Sequence, residues 1–165
     1  KEIGILIDAL NTVVQKNDGV KLLLIGNGAK DYMDKIRKSI SDKNLKDHVL
    51  FIDFIPYKEL PLYFNAADIG VWPGTPTITI IDAIAAGLPV IIAAYDGAFT
   101  HIFENNAAIG FQKGDAEDLS KNIIELLNDG ELRNKISENC LELSTKMLSW
   151  SKIAQRSISA YSNYK

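Results

Sequence analysis

Asp82 is the only charged residue between Asp68 and Asp96, and it stands in a stretch that reads as a helix with two unlike faces. Stepping about 100° per residue puts Ile80, Ile81 and Ile84 on one side and Thr75, Thr79 and Asp82 on the other. A carboxylate beside two hydroxyls can accept hydrogen bonds from a polyol, or it can simply be a solvated position. The residue types alone leave both readings open. A second chemistry-bearing group is Gly26-Asn27-Gly28-Ala29, which follows an apolar run. Such a turn lets the backbone approach a ligand closely and leaves N–H groups for phosphate; it is also what an ordinary strand-to-helix turn looks like. As a dinucleotide fingerprint it is incomplete, because Asp31 stands where the third glycine belongs. His101 and Glu104 read as a surface pair in the absence of a positioned partner. With two histidines and the single Cys140, no metal-ligand cluster is expected.

These groups need a scaffold, and the chain punctuates itself as alternating strands and helices. Short apolar runs predict buried strands over 20–25, 69–72 and 89–94 and further strands over 48–53 and 109–111. Helical spacing of Ile3, Leu6, Ile7, Leu10, Val13 and Val14 predicts a helix over 2–16; residues 30–44 read as an exposed, charged helix with a solvated face, and further helices are expected over 58–65 and 131–144. The helix carrying Asp82 is expected to open with Thr75 as N-cap and Pro76 at its first position, and to stop at Gly87. Asp115 is expected to cap a further helix, with Asp118 at its third position in a relative of the capping box, and Gly130 to end it. The fold class is therefore α/β, a Rossmann-like parallel sheet flanked by helices. Open sheets of this kind bind ligands outside the carboxyl ends of their strands.

At 165 residues with 47% hydrophobic residues, the chain can bury a sizeable core and reads as one domain over 1–165. A formal charge of -3 gives no basic footprint, so a nucleic-acid partner is not expected. No apolar run reaches the ~18 residues of a spanning helix. A lone cysteine fits a reducing, cytoplasmic setting.

The run Leu60-Pro61-Leu62-Tyr63-Phe64-Asn65-Ala66-Ala67-Asp68 through Asp82-Ala83-Ile84-Ala85-Ala86-Gly87-Leu88-Pro89-Val90 resembles the donor-binding half of GT-B-fold retaining glycosyltransferases of the group 1 family. In that family two glutamates, eight positions apart, precede the Ala-x-Ala-x-Gly-x-Pro-Val block. Asp82 matches the second, and Gly74 stands where the first belongs. The terminal Leu148-Ser149-Trp150 element resembles the family's closing helix, which crosses back to the N-terminal domain. Tyr95-Asp96-Gly97 resembles its Ser-Asp-x-Gly-Gly loop. Lys1 matches a family lysine, Glu2 replaces the glycine that follows it, and the arginine before it has no counterpart here. The resemblance covers nearly the whole chain.

It implies the C-terminal half of a GT-B fold, with the first strand and the acceptor-binding N-terminal domain absent from this stretch. The implied activity is retaining transfer of a sugar from a UDP- or GDP-linked donor to an acceptor hydroxyl, without a bound metal or other cofactor, in polysaccharide or glycoconjugate biosynthesis. The setting implied is cytoplasmic, with peripheral membrane association through the missing domain. Asp82 would accept ribose hydroxyls; Lys1, Gly26, Asn27, Gly28, Thr77 and Ile78 would border the phosphates; Ile55 and Pro56 the base; Gly74 and Thr75 the donor sugar. No catalytic residue is assigned. The missing glutamate leaves three explanations: a donor sugar held by backbone and Thr75, a substitute such as Thr77, or lost transfer activity. The alternatives to a transferase are a non-catalytic nucleotide- or partner-binding module and an isomerase of the nucleotide-sugar 2-epimerase type. Residues 1–165 alone are expected not to turn over.

Overall fold

The computed structural model describes residues 2–75, 77–94, 99–148 and 150–162. Helices and strands alternate along them: α1 (Ile3–Lys16), β1 (Leu22–Ile25), α2 (Lys30–Asp42), β2 (Val49–Ile52), α3 (Leu60–Ala66), β3 (Gly70–Trp72), α4 (Thr79–Ala85), β4 (Val90–Ala93), α5 (Thr100–Glu104) and β5 (Ile109–Phe111). Three helices follow: α6 (Ala116–Asn128), α7 (Gly130–Leu143) and α8 (Trp150–Ser162). Short 3-10 turns at Lys46–His48 and Tyr57–Glu59 lead into β2 and α3, and a π-helical turn at Ser144–Leu148 follows α7.

All strand pairing among the described residues is parallel, as helical crossovers between successive strands require. The sheet comes in two pieces, β1 with β2 and β3-β4-β5. They share one core, because Leu22 and Leu24 of β1 pack against the same cluster as Ile69, Val71 and Trp72. β4 is buried along its whole length, which explains its unbroken Val-Ile-Ile-Ala sequence. α1 joins the two halves: Leu6, Ala9 and Val13 enter the larger cluster, while Ile7 and Leu10 meet Ile36 and Ile40 of α2. Each such Leu, Ile or Val side chain stabilises the fold by about 1.5–3 kcal/mol on burial.

Four sequence expectations need correction. β1 is not buried on both faces: Leu23 and Ile25 are 41% and 37% exposed, because α1 and α2 cover only the Leu22 and Leu24 side. α2 is likewise not solely a solvated face, since Ile36 and Ile40 are buried. α4 does not open with Thr75 as N-cap. It begins at Thr79 with no side-chain cap, because Ile80 and Ile81 donate to the carbonyls of Thr77 and Ile78 in tight i→i+3 bonds. Pro76 lies outside the described residues. Gly130 does not end α6; it is the first residue of α7. The break is Asp129, which closes α6 through its N–H to Glu125 O and caps α7 through Oδ1, 2.8 Å from Leu132 N.

Other local expectations match the described structure. Asp115 Oδ1 accepts from Glu117 N and Asp118 N at 2.9 Å each, and Asp118 Oδ2 accepts from Gln112 N at 2.7 Å. Gly87 has φ +74°, and the bonds Gly87 N to Ile84 O and Leu88 N to Ala83 O close α4. The turn at Tyr95-Asp96-Gly97 and the last residues, 163–165, lie outside the described residues, whereas Tyr161 belongs to α8.

Candidate functional site at the carboxyl ends of the strands

Three contacts gather the strand ends. Ile3 N at the start of α1 donates to Tyr32 Oη, in the first turn of α2 beyond β1, at 3.0 Å. Lys113 Nζ, just past β5, lies 3.7 Å from Glu2 Oε1. Tyr57 Oη, just past β2, donates to Asp82 Oδ1 in α4, beyond β3, at 2.7 Å. The start of α1 and the outlets of β1, β2, β3 and β5 are thus tied together on one edge, where doubly wound sheets hold ligands.

The loop after β1 is anchored by Gly26 N donating to Ile52 O at 2.9 Å, so it lies against the end of β2. Gly26 has φ +104°, a conformation that strains any side chain, whereas Asn27 and Gly28 are exposed. Glu2 also sits in the left-handed region, φ +53°, where the family's glycine has none of the strain that Glu2 bears. Lys1 lies outside the described residues. Beyond β2, Ile55 is half-buried and Pro56 exposed. Beyond β3, Gly74 is buried, Thr77 half-buried and Ile78 73% exposed.

The polar face of α4 is engaged at both ends. Thr79 Oγ1 accepts from Trp72 Nε1 at 3.2 Å and lies 2.7 Å from Thr77 Oγ1, which fixes the turn between β3 and α4. One turn on, Asp82 meets Tyr57. Its Oδ2 is buried and has no hydrogen-bond partner among the described residues. Leaving a buried polar atom unpaired costs about 1–3 kcal/mol; Glu2 Oε2, at the start of α1, is in the same state. The Asp82 carboxylate acts in turn on the phenol. Hydrogen bonding to Asp82, then its charge, then slight desolvation hold Tyr57 protonated above the usual 10.0.

Asp82 and Tyr57 line a groove of about 470 Å³ between the Tyr57–Glu59 turn, α3 and α4, walled by Lys58, Pro61, Phe64 and Ala85. Of the residues singled out in the sequence, the groove takes in Asp82, and Pro56 directly precedes its other polar lining residue, Tyr57. Gly26, Asn27, Gly28, Gly74, Thr77 and Ile78 do not line it; they follow β1 and β3 in the chain. Tyr57 was missed by sequence reading. The signal available was an aromatic directly after Pro56 in the segment expected to border a base.

Two other groups belong elsewhere. The His101 ring packs against Phe99, centroids 6.3 Å apart, with no carboxylate bonded to it among the described residues. Cys140 is buried, and its thiol donates to Ala107 O at 3.0 Å. Burial pushes that thiol up to about 12, which makes it a poor nucleophile. Among the described residues no three His, Cys, Asp or Glu side chains gather to hold a metal, and no helix is long and apolar enough to cross a membrane.

Comparison with known proteins now places the chain. It matches the family described as "Glycosyl transferases group 1" over residues 1–142, and it belongs to that family. It is 30% identical over 151 residues to the alpha-monoglucosyldiacylglycerol synthase of Acholeplasma laidlawii, covering 88% of this chain and 36% of that protein. It is 26% identical over 161 residues to the GDP-mannose-dependent alpha-(1-6)-phosphatidylinositol monomannoside mannosyltransferase of Mycobacterium tuberculosis, covering 92% and 41%. The chain thus spans about two fifths of these relatives. Anabaena HepE, solved in complex with UDP, superposes with a TM-score of 0.88 at 22% identity, over 99% of this chain and 45% of that one. The C-terminal domain of the group 1 protein LpcC from Francisella tularensis gives 0.82 at 20% identity, over 91% and 80%. The fold is accordingly that of the C-terminal half of a GT-B glycosyltransferase.

Proposed function

We propose that this chain is the donor-binding half of a glycosyltransferase that takes a nucleotide diphospho-sugar and passes the sugar, with retention, to an acceptor hydroxyl. The observation that carries this reading is the Asp82 carboxylate, set at the carboxyl edge where it and the Tyr57 hydroxyl bonded to it line a groove. Ribose hydroxyls are donors that the acceptor oxygens of the Asp82–Tyr57 pair would receive. Backbone at Gly26, Asn27 and Gly28 and at Thr77 and Ile78 would border the two phosphates with Lys1, and Ile55 and Pro56 the base. Gly74 is buried and offers no side chain, so the donor sugar is held by backbone and by Thr75. Developing charge on the departing diphosphate would be met by backbone amides and Lys1.

The whole protein would add an acceptor-binding domain and a strand ahead of α1. Support comes from the relatives, which are more than twice as long, and from β1 and β3, each bonded to a neighbour on one edge only among the described residues. A parallel strand between them would turn two pieces into one sheet. Two relatives are named for lipid-linked products, which supports an acceptor at a membrane surface and peripheral association from the cytoplasmic side.

The test is turnover by the full-length protein with UDP- and GDP-sugars. Release of free nucleoside diphosphate that depends on acceptor, and falls on Asp82→Ala, supports the reading. A changed sugar still attached to its nucleotide would instead indicate an isomerase. Nucleotide binding without turnover under any donor would point to a non-catalytic module, consistent with Gly74 in place of the acidic residue.

A further inference from the structure

In this arrangement neither oxygen of Asp82 is an open, unengaged acceptor. Its Oδ2 is shut off from solvent and its Oδ1 already accepts the Tyr57 hydroxyl at 2.7 Å. Tyr57 itself is 67% exposed and lines the same groove. The polar group that an incoming hydroxyl encounters here is therefore the phenol. A phenol has one donor hydrogen and two lone pairs. The hydrogen is committed to the carboxylate, so what the oxygen offers outward is acceptor character. A carboxylate behind it strengthens that character, since linked hydrogen bonds polarise one another and a charged acceptor makes the strongest of them.

We propose that Tyr57 Oη is the atom that receives the sugar-ring hydroxyl of the bound nucleotide, with Asp82 acting through it. This rests on the reading of Asp82 as the ribose site and adds a ligand-contacting residue to it. It also accounts for an aspartate at a position where the group 1 pattern has a glutamate: the side chain is one methylene short, and the tyrosine hydroxyl extends its reach. The relay implies that either partner alone is insufficient. Asp82 without the phenol leaves a carboxylate set too deep; Tyr57 without the carboxylate leaves a hydroxyl free to turn its hydrogen outward.

The experiment is calorimetric titration of the full-length protein with whichever of UDP or GDP binds, together with its 2′-deoxy and 3′-deoxy analogues, on wild type, Tyr57→Phe, Asp82→Ala and the double variant Tyr57→Phe/Asp82→Glu. Tyr57→Phe is expected to weaken the ribonucleotide about tenfold, the loss of one charge-assisted hydrogen bond. It should leave affinity for one of the deoxy analogues unchanged, so that discrimination between ribose and that deoxyribose disappears. A simple packing role would weaken all the ligands alike. The double variant should regain discrimination, because the longer carboxylate reaches the hydroxyl itself. Unchanged or tighter binding by Tyr57→Phe, with Asp82→Ala still weakened, would overturn the relay and leave the ribose site standing. Indifference of nucleotide affinity to Asp82→Ala would overturn both.

Discussion

Tyr57 Oη lies 2.7 Å from Asp82 Oδ1, a bond between residues 25 apart in sequence that ties the outlet of β2 to the helix beyond β3. It is the contact through which the Asp82 face of α4, otherwise a polar stripe on a short helix, becomes part of a groove. Its consequences can be measured without any ligand.

The first concerns the phenol. Asp82 holds Tyr57 protonated above the ordinary value of 10.0, so Tyr57 should ionise at higher pH than a typical exposed tyrosine. Because the folded value is the raised one, the contact contributes stability below the unfolded pKa and loses it as pH rises through the folded one. Ring-proton NMR across pH 9–12 should show the Tyr57 titration moving down on Asp82→Asn; no movement would mean that the bond is not made in solution.

Cys140 gives a second alkaline signature. Its thiol is pushed up to about 12 in the fold, whereas the unfolded thiol deprotonates near 9.0. Stability from this group is complete below the unfolded value and falls by about 1.4 kcal/mol per pH unit between the two. Urea unfolding at pH 8 and pH 10 should show that fall, reduced in Cys140→Ala. The native thiol should resist alkylation until the protein unfolds.

Gly87 closes α4 at φ +74°, and a Cβ there would sit 3.1 Å from Leu141 Cγ and Cδ2 and 3.3 Å from Ser137 Oγ. Gly87→Ala combines left-handed strain with overpacking against α7 and should cost about 2 kcal/mol, lowering the melting temperature by about 4–8 °C in a chain of this size. Gly114, also at positive φ but with nothing within 4 Å of its Cβ, provides the comparison: Gly114→Ala should cost less.

Asp115→Ala removes the acceptor for Glu117 N and Asp118 N and should destabilise by about 1 kcal/mol. Asp115→Asn keeps an acceptor and should recover most of it. Equal losses in the two would assign the effect to charge at the helix start rather than to the cap.

What the sequence disclosed and what it withheld divide along range. The Asp115 cap, the Gly87 stop and the Leu6, Ile7, Leu10 and Val13 stripe of α1 are set by residues within a few positions of one another, and those were legible. Where a local rule had a competitor it misled. Thr75 and Pro76 have the right types for a helix start, but the i→i+3 bonds at Thr77 and Ile78 and the bond from the Trp72 indole N–H to the Thr79 hydroxyl set the start three residues later. Asp129 preceded the glycine expected to end α6 and served two helices at once. Asp82 could be singled out as a lone carboxylate on a helix face, and the family pattern gave it a role. Its partner could not be singled out: nothing near Tyr57 marks it as the residue that meets Asp82, and only the folded proximity of β2 and β3 outlets does.

The most direct test of the central claim is an amide chemical-shift titration of isotope-labelled protein with UDP and GDP. The donor half-site described above predicts saturable shifts, for one of the two nucleotides, at Gly26, Asn27, Gly28, Ile55, Tyr57, Thr77 and Asp82, all on the edge where the strands end. Saturable shifts confined to other surfaces, such as the cleft beside Lys146, Lys152 and Arg156, or no shifts with either nucleotide, would contradict it.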